Sequence, residues 1–151
     1  MTLLTKPKMK PKHIKAYMKC ALAFAECSNA TRLKVGAVIV RDNNILAVGY
    51  NALPAHINAP CELPDGSTDP RLRHAEKNAL MTLTKRSEGS VGAIMFCTHS
   101  CCELCAIDIV DAGIKEFYYL HDYRCDKGLL YLQANGIVVH KITLEDTSAC
   151  T

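Results

Sequence analysis

His74-Ala75-Glu76, followed 28 residues after the histidine by Cys102-Glu103-Leu104-Cys105, is the stretch on which the reading of this chain turns. Imidazole nitrogen and thiolate sulfur are the ligands zinc takes in a tetrahedral shell, and three protein ligands leave a fourth position to water. Water on such an ion falls in pKa from about 15.7 toward about 7, so hydroxide is within reach at neutral pH. Glu76, two residues from one ligand and not itself a ligand, is placed to shuttle protons. The gap between Cys102 and Cys105 sets both sulfurs on one side of a helix's first turn. Cys101 adds a neighbouring thiol without that spacing. A closed structural zinc knuckle would need a fourth protein ligand, for which there is no clear candidate, and would leave Glu76 without a task.

Around this motif the apolar pattern alternates between helical and strand periods. His13 to Cys27 carries Ile14, Tyr17, Met18, Ala21, Leu22 and Ala25 on one helical face. Val35 to Val40 is a β-branched run ended by the turn Asp42-Asn43-Asn44, with Ile45 to Asn51 as its hairpin partner. Ala52 to Asp69 is loop, broken by Pro54, Pro60, Pro64 and Gly66. Arg71 to Lys85 is predicted as a helix with His74 and Glu76 near its start. Ala93 to Thr98 is a third strand running into the Cys102 helix, which stops near Gly113. Glu116 to Leu120, Lys127 to Ala134 and Ile137 to Ile142 add a strand, a helix and a strand. The order predicts a three-layer α/β/α sandwich with a mixed five-stranded sheet. The zinc ligands then come from the first turns of two neighbouring helices, whose dipoles favour thiolate.

Composition narrows the class. With 151 residues, 49% apolar and 22% charged, the chain predicts a single globular domain over 13–151 behind a flexible basic tail at 1–12. No apolar run approaches the roughly 18 residues of a membrane span, and the Lys/Pro-rich N-terminus lacks a signal-peptide core. Nine cysteines without an export signal predict reduced thiols in a cytoplasm. Cys20, Cys27, Cys61, Cys97, Cys125 and Cys150 are then mostly buried small hydrophobes. The formal charge of +3 is a tail effect of Lys6, Lys8, Lys10 and Lys12, which argues against a strongly basic nucleic-acid face.

With these residues set out, the chain resembles the zinc-dependent cytidine deaminase superfamily and, within it, the deoxycytidylate (dCMP) deaminases, phage-type members included. The superfamily signature is H-x-E followed by P-C-x-x-C, with Cys101 here at the proline position. Further marks are Gly49-Tyr50-Asn51, Asn78, Thr98-His99-Ser100, Ala112-Gly113-Ile114 and Tyr123-Arg124-x-Asp126-x-Gly128, so that the similarity spans residues 13 to 142. The resemblance implies a cytidine deaminase-like fold and hydrolysis of dCMP to dUMP and ammonia, feeding thymidylate synthesis. It gives zinc to His74, Cys102 and Cys105, and the proton shuttle to Glu76. Asn51 is given the sugar, Tyr123 the base pocket, and Arg124 and Lys34 the 5′-phosphate. It also implies one catalytic Zn2+ per chain, dCTP and dTTP as effectors in regulated members, with Mg2+ accompanying the triphosphate, and a homo-oligomer, foremost a hexamer. Ala52 stands where the family commonly has glycine, in a loop near the effector site of regulated members, so regulation stays open. Some members carry a second, structural zinc; the loop here offers only His56 and Cys61 toward one, with Cys20 or Cys27 as a conceivable third.

Two other readings share these residues. A polynucleotide deaminase acting on tRNA or single-stranded DNA would need a basic groove and stacking aromatics, and this chain has no Trp. A catalytically silent zinc-binding module finds its support in Cys101 and is opposed by an intact Glu76. His99 is predicted to shape the pocket through its backbone; His56, His121 and His140 read as ordinary histidines, and Tyr118 and Tyr119 as packing residues.

Overall fold

Asp42 and Asn43 both take left-handed φ, 51° and 59°, and close a two-residue hairpin between β1 (Gly36–Arg41) and β2 (Asn44–Tyr50). That turn matches the right-handed twist of the strands, and Asn and Asp tolerate the geometry better than other side chains. In the computed structural model, which describes residues 8–145, β1 also pairs antiparallel with β3 (Ile94–His99). From β3 the sheet continues in parallel through β4 (Glu116–His121) and β5 (Val138–Lys141), giving the order β2-β1-β3-β4-β5. Parallel neighbours require crossovers. Helix α3 (Glu103–Asp111) joins β3 to β4, and α4 (Lys127–Ala134) joins β4 to β5. Ahead of them stand α1 (Pro11–Ala25) and α2 (Ala75–Leu83).

Alternation along the strands divides the core in two. Val38, Val40, Ile94, Phe96 and Tyr118 face α1, with Phe96 between the rings of Tyr17 at 5.4 Å and Tyr118 at 4.7 Å. Ala37, Ile39, Met95, Cys97, Phe117 and Tyr119 face the opposite layer, where α2, α3 and α4 lie. The predicted three-layer α/β/α sandwich with a mixed five-stranded sheet is the observed architecture. Both faces of β1 are covered, which is why its sequence is a continuous apolar run.

Several boundaries move. Helix α1 begins at Pro11, because proline suits the first helical turn, so Pro11 and Lys12 belong to the fold and not to a tail. The predicted tail over 1–7 and Cys150 lie outside the described residues. Helix α2 starts at Ala75, four residues later than predicted. Ala52 and Arg73 exchange both backbone hydrogen bonds, and Asp69 accepts from the Arg71 amide, so 69–73 is held out of the helix. The extra cysteines are less buried than expected: Cys61 and Cys97 are buried, Cys20 and Cys125 half-buried, and Cys27 exposed. None of the eight described cysteines forms a disulfide. No helix among the described residues is long and apolar enough to cross a membrane.

Candidate active site

Two helices deliver their first turns to one point at the carboxyl ends of β3 and β4, beside the antiparallel β1. Crevices at such a change of strand direction are where open α/β sheets take ligands. Helix α2 reaches it because Gly49 has no side chain: a Cβ there would stand 2.4 Å from the Ala75 carbonyl oxygen and 2.5 Å from the Ala79 nitrogen. Asn78 ties the same helix to the strand end, its Nδ2 donating to the Tyr50 carbonyl at 2.8 Å. His74 is therefore the N-cap of α2, with φ −68° and ψ 157°, and Glu76 sits buried in the first turn. Helix α3 repeats the device. Cys102 is its N-cap, and its sulfur accepts from the Cys105 amide at 3.5 Å. Gly128 of α4 lies against that turn, where a Cβ would meet the Cys101 carbonyl oxygen at 2.1 Å.

His74 Nδ1 lies 3.5 Å from Cys102 Sγ and 3.3 Å from Cys105 Sγ, and the three ligand atoms all fall within 4.8 Å of one another. Zinc–sulfur and zinc–nitrogen bond lengths require ligand atoms about 3.6 Å apart in a tetrahedral shell, so this donor set fits zinc. Cys101 is fully buried among apolar neighbours and is not part of the group. Sharing a proton with Cys105 holds the Cys102 thiol down to about 4, with His74 assisting, while Cys105 is correspondingly pushed up. The Cys102 sulfur in turn raises His74. Burial pushes the Glu76 carboxyl up to about 7, against the lowering influence of its own backbone and of His74. The buried Cys97 thiol exerts a smaller lowering influence on the same carboxyl.

A cavity of about 640 Å³ opens from this point. Of the residues expected there, His74, Glu76, Cys102, Asn51, Tyr123 and Arg124 line it. Asn51 is buried; its Oδ1 accepts from the Val35 amide at 2.9 Å and its Nδ2 donates to the Leu33 carbonyl at 2.7 Å, which leaves one amide hydrogen for a ligand. Arg124 lies over the Tyr123 ring at 5.3 Å. Lys34 is exposed and does not line the cavity, whereas its neighbours Leu33 and Val35 do. Of the other lining residues, His99 was expected to shape the pocket through its backbone and Ser100 stood within the Thr98-His99-Ser100 mark, while Arg32 and His121 carried no site role in the sequence reading. The juxtaposition of His99 with His121 comes from register, the two being partners across the β3–β4 pairing. Ser100 seals this edge, donating its amide to the His121 carbonyl at 2.8 Å and accepting the Tyr123 amide on its hydroxyl at 2.6 Å.

Comparison with known proteins adds a second kind of observation. The family described as the cytidine and deoxycytidylate deaminase zinc-binding region matches residues 11–121. A crystal structure of dCMP deaminase from the cyanophage S-TIM5, in complex with dCMP and dUMP, superposes with a TM-score of 0.88 and 46% identity, covering 89% of this chain and 100% of that one. The deoxycytidylate deaminase of Mycobacterium phage D29 is 31% identical, over 68% of this chain and 90% of its own. That of Saccharomyces cerevisiae is 32% identical over 93% of this chain but only 48% of its own length, so the chain spans about half of the yeast protein.

Proposed function

The chain belongs to the cytidine and deoxycytidylate deaminase zinc-binding family, and from that premise we propose that it hydrolyses dCMP to dUMP and ammonia, supplying dUMP for thymidylate synthesis. The observation that carries this reading is a buried carboxyl, Glu76, beside a converged His74–Cys102–Cys105 set at the cavity that Asn51, Tyr123 and Arg124 line. The 46% identity to a phage enzyme crystallised with dCMP and dUMP supports the choice of nucleotide.

Zinc held by His74, Cys102 and Cys105 would supply a Lewis acid and bring water to a pKa near neutrality. The protein's own groups account for the rest. Glu76, kept near neutrality by burial, takes a proton from the attacking water and delivers it to cytosine N3. The water oxygen bonds to C4 as N3 takes that proton; Glu76 then takes the remaining hydroxyl proton and passes it to the amino nitrogen, so that C4=O forms as the C4–N4 bond breaks and ammonia leaves. The closed wall of β3 and α2 behind Glu76 keeps its proton from bulk water. Asn51, anchored on both sides by backbone, presents its remaining amide hydrogen to the sugar, and Tyr123 lines the base pocket. Arg124 faces the phosphate in place of the exposed Lys34.

The finer proposals rest on the family. They are a homo-oligomer, foremost a hexamer, in a cytoplasm that keeps the thiols reduced, and regulation by dCTP and dTTP with Mg2+. Light scattering of the purified protein, and dCMP saturation curves with and without each triphosphate, test them. The central test is the loss of cytosine absorbance with dCMP, using zinc-loaded protein beside Glu76→Gln. Turnover by the native protein and a fall of about a thousandfold in the variant, with zinc retained, are expected. Near-native turnover in Glu76→Gln would remove the proton shuttle from the mechanism.

A further inference from the structure

At the mouth of the cavity two imidazoles stand side by side. His99 ends β3 and His121 ends β4; they are register partners in the parallel pairing, with ring centroids 5.1 Å apart. Both line the cavity that holds Glu76, His99 half-buried and His121 exposed. Since Glu76 is buried and His121 is open to solvent, the pair faces the outer end of anything whose reacting ring reaches the carboxyl.

The state of His99 follows from its neighbours. Thr98 is buried, and its hydroxyl oxygen accepts the Gly36 amide at 3.1 Å. The same hydroxyl lies 2.9 Å from His99 Nδ1. That contact engages Nδ1 and leaves Nε2 as the ring nitrogen available to a ligand. Burial, and then the adjacent His121, lowers the basicity of His99.

The charges around the pair leave room for an anion. Among the carboxylates lining the cavity besides Glu76, Glu62 Oε1 accepts the amides of Thr31 and Arg32, and Asp122 is paired with Lys141. The Arg32 guanidinium reaches the Thr68 hydroxyl, and Arg124 lies on the Tyr123 ring. Among the described residues neither guanidinium is within ion-pair distance of a carboxylate.

We propose that His99 and His121 form a two-imidazole clamp for the 5′-phosphate of the nucleotide, with Arg124 beside it, and that this clamp sets the preference for a nucleotide over a nucleoside. The inference rests on the dCMP reading and assigns its phosphate to the side chains of one residue read in the sequence as shaping the pocket through its backbone, His99, and one read as ordinary, His121. His99 offers its Nε2 edge, and His121, exposed where it lines the cavity, offers a second imidazole to the phosphate oxygens.

The test is calorimetric titration of the zinc-loaded protein with dUMP and with deoxyuridine, which differ only in the phosphate. Native protein, His121→Ala, His99→Leu and His99→Gln are compared, and folding and zinc content are checked for each. Native protein is expected to favour dUMP by about a hundredfold, and His121→Ala and His99→Leu each to shrink that ratio about tenfold while deoxyuridine binding stays unchanged. His99→Gln, which keeps an amide donor, is expected to retain most of the preference. A ratio undiminished in both deletions, or equal losses for the two ligands, overturns the clamp. If that happens while the native protein still deaminates dCMP, the clamp alone falls. Native protein that binds dUMP no better than deoxyuridine brings down the dCMP reading together with the clamp.

Discussion

The two ends of the sheet are built from different materials. At the end that carries the site, β1, β2 and β3 present Gly36, Ala37, Gly49, Cys97 and Thr98. At the opposite end the same strands and their neighbour present Ile39, Val40, Ile94, Met95 and Phe117, all buried. The small end lets helix backbones touch the sheet, α1 at Gly36 and α2 at Gly49, while α4 touches the cysteine turn at Gly128. The large end separates the layers by whole side chains. The lesson concerns precision against bulk. Backbone contact places His74, Glu76 and Cys102 to a fraction of an ångström, as catalysis requires, whereas aliphatic volume supplies hydrophobic stabilisation and tolerates small shifts.

The contrast is attacked most directly at Gly49. Ala at this position puts a Cβ 2.4 Å from the Ala75 carbonyl, a contact with backbone that only movement of α2 relieves. Displacement of about 1 Å costs on the order of a hundredfold in turnover, so Gly49→Ala is expected to lose that much kcat/KM on dCMP and to bind zinc more weakly. Steady-state kinetics with metal analysis checks it, and a variant with native kcat/KM would show that the close approach is not what places His74. Asn78→Ala removes the Nδ2 bond to the Tyr50 carbonyl on the same helix. A lost bond of this kind is worth about 1–2 kcal/mol, so a fall of about tenfold in kcat/KM is expected, smaller than at Gly49 because the helix keeps its seat.

Sequence resolved these two ends unequally. The ligand triplet was legible because metal geometry and helix period both act over a few residues, and the His74, Cys102 and Cys105 spacing satisfies both. The hairpin was legible for a similar reason, since Asp42-Asn43 carries its own turn preference. The late start of α2 was not, because it depends on Arg73 pairing with Ala52, twenty-one residues away and across a loop. The roles of Gly49 and Gly128 needed the helix that packs on each. Lys34 was chosen for its charge, which composition supplies, while the direction of its side chain depends on how the lead-in meets β1. His99 was legible as a pocket residue from its place before the cysteine motif, whereas His121 looks ordinary until parallel register sets it beside His99.

At the large end the expectation reverses. Ile39 is fully buried between β1 and the helical layer, far along the strand from the site. Ile39→Val deletes one methylene and costs about 1 kcal/mol of stability. A lowered thermal midpoint with unchanged kcat/KM is expected, and a matched loss of activity would erase the distinction between the two ends.

The smallest effect tests the link between them, the turn at Asp69 that keeps 69–73 extended ahead of α2. Hydrogen bonding from the Arg71 side chain, then from its amide, holds the Asp69 carboxyl down to about 2, against an ordinary carboxylate value near 4. A depressed carboxyl contributes stability that is present above its unfolded value and is lost as pH falls through the folded one. The native protein is therefore expected to be modestly more stable than Asp69→Asn at pH 6, and the two to converge as pH drops from about 4 to about 2. Arg71 is exposed, so solvent screens the pair and the gap in midpoint is small. Thermal melts of both proteins across that range measure it. A constant gap down to pH 2 would mean that Asp69 acts through shape alone. In that case the entry to α2 is set by the Ala52–Arg73 bridge, and the site end needs no charge to hold its geometry.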